Sequence, residues 1–148
     1  MESFVRVLRD VVLLVSRCVL GAVALWHGWQ HWRIDGLDAQ VAAMTAQGVP
    51  QPQVVAWGFT MLELVGGALL VFGVLTPVLG LLFAVQAALT LFWLDPGTVG
   101  GVELVAVMGA LALVLAVFGA GRAAIDQLFR RPEEPEDDEL RYDETRPA

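Results

Sequence analysis

A glutamate, Glu63, stands near the middle of an apolar run from Val54 to Leu75, and an arginine, Arg17, near the middle of an earlier one. A charge at bilayer mid-depth costs roughly 2.5–3.5 kcal/mol on insertion scales. Such residues persist where they pair, face a bundle interior or do chemistry. The chain is therefore constrained to a membrane protein with a polar feature inside it. No particular reaction follows from that.

Hydrophobic residues make up 57% of the 148 positions, against about 45–50% in soluble domains. The formal net charge of −7 is unevenly spread. Residues 132–148 carry Glu133, Glu134, Glu136, Asp137, Asp138, Glu139, Asp143 and Glu144 against only Arg141 and Arg146. The acidic balance thus belongs to a tail and says little about the apolar part. With its prolines and few apolar residues, this tail is expected to be disordered and cytoplasmic. The transmembrane domain is expected over residues 1–131.

Four apolar spans are read over residues 11–27, 54–75, 78–94 and 102–119. Each approaches the roughly 20 residues that cross a bilayer core. In lipid a helix satisfies its own backbone, so the fold class is all-α, an integral membrane four-helix bundle. Arg6 and Arg9 precede the first span, and Arg122, Arg130 and Arg131 follow the last. The outer segments carry Arg33 and the acids Asp35, Asp38 and Asp95. The positive-inside rule then places both termini in the cytoplasm. The polar segment 36–53 is expected to hold a short surface helix, Leu37–Gln47, over the outer mouth.

The spacing draws faces on these helices. Arg17, Gly21, Ala24 and Gly28 share one face; Glu63, Gly66, Gly67 and Leu70 share another. Gly80, Ala84 and Ala88 form a stripe on the third span, with Gln86 near its middle, and Glu103, Ala106 and Ala110 align on the fourth. Small residues let helices approach closely in lipid. An intramembrane polar cluster of Arg17, Glu63 and Gln86 is expected, with an Arg17–Glu63 ion pair at its centre.

Trp26, Trp29, Trp32, Trp57 and Trp93 all fall at outer span ends. They read either as an interfacial belt or as the lining of an outer pocket. The pocket reading groups His27, His31, Trp29, Trp57 and Glu103. His27 and His31 sit four residues apart, but without a third ligand no metal site is expected. Cys18 is the sole cysteine, which excludes an internal disulfide and reads as a small apolar residue. No flavin, haem or iron–sulfur motif is present, so no autonomous enzyme and no catalytic residue can be named.

Four blocks, in order, resemble the DoxX family of small membrane proteins. They are Trp26-His27-Gly28-Trp29-Gln30-His31, Gly48-Val49-Pro50, Glu63-Leu64-Val65-Gly66-Gly67 through Gly73-Val74-Leu75-Thr76, and Gly119-Ala120-Gly121-Arg122 with Ile125-Asp126. The sequence departs from the family where His31 replaces a usual lysine and Pro77 a frequent basic residue. The resemblance implies a multi-pass protein of the cell (inner) membrane. It also implies an accessory or anchor subunit in redox or oxidative-stress chemistry, touching quinone as its one candidate cofactor. The alternatives are a non-catalytic scaffold or chaperone for partner proteins, and a small carrier. Expected partners are the lipid bilayer, proteins of a membrane redox complex and a second copy of the chain, but not nucleic acid.

Overall fold

The computed structural model describes residues 2–93 and 101–119. The expected tail, the segment around Asp95 and the arginines after Gly119 lie outside the described residues. Among the described residues all regular structure is helical.

Helix α1 runs Glu2–Trp29 and passes directly into a π-helical turn, Gln30–Ile34. It is far longer than the apolar run at 11–27, because the amphipathic Phe4–Asp10 segment continues the same helix. Helix α2 covers Leu37–Ala46. Its end explains the Gly48-Val49 pair. The Val49 N–H bonds the Met44 carbonyl at 3.0 Å, and the Gly48 N–H bonds Thr45 at 3.1 Å. Gly48 takes φ +74°, the left-handed conformation that closes such a cap at least cost in glycine. Val49 then packs with Met44 and Ala56, which pins α2 against the next helix.

Helix α3 (Pro52–Met61), a second π turn (Leu62–Gly66) and α4 (Gly67–Phe72) form one continuous helix. Its 21 residues have a mean hydropathy of 1.9. Gly73, at φ +73°, ends it with the same double hydrogen bond, Val74 to Leu69 and Gly73 to Leu70. Helix α5 spans Thr76–Trp93 with a mean hydropathy of 1.7, and α6 spans Val102–Phe118.

The core lies where α1, α4, α5 and α6 meet, around Leu20, Leu70, Phe83, Ala112 and Leu115. Glycines set the closest approaches. A Cβ on Gly21 would stand 2.7 Å from the Gly67 carbonyl, and one on Gly80 would stand 2.7 Å from the Ala116 nitrogen. The outward faces are apolar as well: Val15, Val19, Leu81, Val85, Val107 and Leu113 are all exposed. A continuous apolar exterior on apolar helices suits lipid rather than water.

One expected face is corrected. Glu103, Ala106 and Ala110 of α6 are exposed, and so is Ala88 of α5. α6 instead buries Val105, Ala112 and Leu115. It meets α5 through Gly80 against Ala112 and Ala116, and through Gly109 against Ala87. An α6 that is hydrophobic on every side offers no polar face to mark its buried one, so its small-residue spacing pointed to the wrong side.

Candidate functional site

Glu63 is 6% exposed and occupies the π turn between α3 and α4. A π turn holds one extra residue and displaces side chains from the regular helical rows. The neighbouring helix leaves room for it. A Cβ on Gly28 would lie 2.9 Å from the Glu63 Cβ. α1 therefore crosses the Glu63 level with no side chain in the way.

Both carboxylate oxygens are held. Gln86 of α5 donates through Nε2 to Oε1 at 2.6 Å. His31, in the π turn beyond the apolar run of α1, donates through Nδ1 to Oε2 at 3.0 Å. Gln40 of α2 brings its Nε2 to 3.3 Å from the same Nδ1, and Thr60 donates to Gln40 Oε1 at 3.0 Å. One ring nitrogen cannot donate to a carboxylate and accept from an amide together, so the shorter, charge-assisted bond to Glu63 holds the proton. The hydrogen bond to Glu63 raises the His31 imidazole above its ordinary 6.5; burial opposes this, and the Glu63 and Asp35 charges add to it.

Glu63, Gln86 and Thr90 form a wall shared by two cavities. One, of about 80 Å³ and open on one side, is mainly apolar; Leu20, Val23, Phe83, Ala87, Leu104 and Met108 line it with His27. The other, of about 180 Å³, lies under α2 and is more polar, with His31, Asp35, Gln40 and Phe59 in its lining.

The expected Arg17–Glu63 pair is not formed. Gly28 faces Glu63 and Leu64, whereas Gly21 faces Gly67 and Val71. Arg17 precedes Gly28 by eleven residues, a separation of about 16 Å along the helix at 1.5 Å per residue. That exceeds the reach of the two side chains. Arg17 is buried, at 3% exposure, but deep toward the other end of the bundle. Glu63 itself lies toward the tryptophan-rich end, level with the turn of α1 that carries Trp26 and Trp29.

The expected outer pocket divides. His27 and His31 line the two cavities. Trp29 and Trp57 are half exposed and line neither, nor does the exposed Glu103. Trp29 and Trp32 instead flank Arg33, whose guanidinium lies 5.8 and 5.5 Å from their rings. Such rings suit a membrane interface. Gln40, Thr60, Thr90 and Asp35 were not singled out from the sequence. Each is an ordinary polar residue, and Gln40 and Thr60 join the site only through the fold of α2 over the bundle.

A bundle of apolar helices with apolar exteriors and a hydrogen-bonded carboxylate inside defines a multi-pass helical membrane protein. More particularly, the chain belongs to the DoxX family, whose model matches residues 12–96. It is also similar to the inner membrane protein YqjF of Escherichia coli (strain K12), with 32% identity over 132 residues, 84% of this chain and 96% of that protein. No solved structure matches.

Proposed function

We propose that this protein is an accessory inner-membrane subunit of redox chemistry, and that its apolar cavity receives the head of a quinone-type lipid. One observation carries the reading: a buried, hydrogen-bonded carboxylate forms the wall between an apolar cavity and a polar one. Apolar linings with a few fixed polar groups are the usual form of small-molecule sites. At about 80 Å³ the cavity takes the polar edge of a ring, and its open side leaves a lipid tail outside. Glu63 presents its carboxylate at that edge and accepts a hydrogen bond from His31 on the side of the other cavity, so a proton acceptor stands beside any hydroxyl bound there. Electrons pass to or from a partner protein in this reading. Both termini face the cytoplasm, and α2 covers the outer side.

The test is solvent extraction of protein purified from native membrane, followed by mass spectrometry. Wild type should retain a redox lipid enriched over the bulk membrane. Ala87→Phe, which fills the cavity, should lose it. A redox lipid no richer than in bulk membrane, or one unaffected by Ala87→Phe, overturns the reading.

A further inference from the structure

The cavity under α2, of about 180 Å³, is separate from the one read as a redox-lipid site. An engineered cavity of about 150 Å³ holds one benzene, so this one has room for a small organic molecule. Most of its polar groups are already spent on one another. His31 donates to Glu63 at 3.0 Å, and Gln86 holds the other carboxylate oxygen at 2.6 Å. Gln40 sets its amide nitrogen 3.3 Å from His31 and accepts from Thr60 through Oε1. Thr90 gives its hydroxyl hydrogen to the Gln86 carbonyl. Asp35 is the exception. It lines the cavity and is exposed, and among the described residues its carboxylate makes no hydrogen bond or ion pair. It acts on His31 only through its charge. The charges of the lining add to the same conclusion. A protonated His31 is matched by Glu63, which leaves the one negative charge of Asp35; a neutral His31 leaves two. In either state the cavity attracts a cation. Arg33 does not line it and lies against the Trp29 and Trp32 rings instead.

We propose that this cavity binds a small protonated primary amine, with the ammonium at Asp35 and the carbon part against Phe59 and Ala43. An ammonium brings three donors and a positive charge to the one uncommitted carboxylate of the lining. Phe59 adds an aromatic surface, which favours a cationic nitrogen and the carbons next to it. A bare metal ion suits the cavity less well. No group of three His, Cys, Asp or Glu side chains among the described residues could hold one, and the apolar part of the lining would stay uncovered. A neutral molecule of the same shape forgoes the charge, and an anion is repelled by it.

The experiment is titration calorimetry of the full chain in detergent, at about 0.15 M salt, where distant surface charges are screened. The probes are benzylammonium chloride, benzyl alcohol as its uncharged counterpart, and magnesium chloride. Benzylammonium should bind at least about tenfold tighter than the alcohol. Asp35→Asn should weaken it by about tenfold, and this exposed, unbonded side chain is not needed for folding. Asp38→Asn removes an equal charge from the first turn of α2 outside the lining and should change affinity by less than about twofold. Ala43→Phe fills the cavity and should abolish binding. No binding of benzylammonium, equal binding of the alcohol, or equal losses in the two aspartate variants overturns the inference. So does magnesium binding that benzylammonium cannot displace. Each of these outcomes leaves the redox-lipid reading standing, because that reading is tested by lipid extraction and by Ala87, which does not line this cavity.

Discussion

At the scale of single residues, the geometry assigns Glu63 a histidine rather than an arginine as its partner. The distinction is measurable. Glu63→Gln and His31→Asn should be non-additive in thermal stability near pH 6, with a coupling of about 1–3 kcal/mol, because each removes the other's hydrogen bond. Glu63→Gln and Arg17→Gln should add within about 0.5 kcal/mol, since the two sites are far apart. A large Arg17 coupling would refute the register between α1 and α3. The histidine contact also carries a pH signature. Its pKa is raised in the folded protein, so folding binds its proton more tightly. The stabilisation is fully present below the unfolded value of about 6.5. It is lost as pH climbs through the raised folded value. Groups facing this ring are Glu63 from the π turn, Asp35 on its own segment, the Gln40 amide from α2 and the His27 ring, edge-on with centroids 6.5 Å apart. The melting-temperature advantage of wild type over His31→Asn should accordingly shrink above that pH. A gap that widens with pH would contradict the pairing.

At the scale of elements, two glycines of similar sequence context differ in what surrounds them. A Cβ on Gly28 meets the Glu63 Cβ and the Leu64 Cγ at 2.9 Å, whereas one on Gly58 meets nothing within 4 Å. Gly28→Ala should force α1 away from the π turn and cost about 1–3 kcal/mol. Gly58→Ala should stabilise by about 0.5–1 kcal/mol, since alanine loses less freedom in a helix interior. Thermal unfolding in detergent separates the two, and equal effects would refute the tight crossing. The same contrast shows what the sequence made legible. Hydropathy indicates apolar helices directly, and the small-residue faces of α1 and α4 do meet. The depth of one helix against another was not legible. It depends on α1 continuing through Gln30–Ile34 as a π turn, for which a propensity pattern gives no signal. That continuation brings His31 to Glu63 and leaves Arg17 too deep. Gln86 and Glu63 share a level because α5 and the α3–α4 helix pack antiparallel after a short turn at Gly73–Leu75. Gln40 was hidden because α2 has almost no amphipathic pattern to indicate its buried side, where Met44 lies.

At the scale of the whole molecule, the bundle is polarised. The tryptophans, the buried carboxylate, both cavities and α2 gather at one end, and the exposed apolar residues Phe4, Val5, Val7 and Leu8 lie at the other. Charge follows the same axis. Arg6 and Arg9 begin α1, and Arg122, Arg130 and Arg131 follow α6, whereas the α2 end carries Asp35 and Asp38 beside Arg33. Flanking arginines hold their side of a membrane protein in the cytoplasm. The cavities would then open toward the outer face, with α2 between them and the water beyond. A cytoplasm-dependent fluorescent reporter fused after Ala148 should light up. The same reporter inserted at Gly48, in the turn after α2, should stay dark. Substituting glutamine for Arg6 and Arg9 together should weaken this preference, because the bias rests on few charges. Fluorescence from the Gly48 insertion in the unaltered chain would invert the molecule. It would place the Glu63 site on the cytoplasmic side.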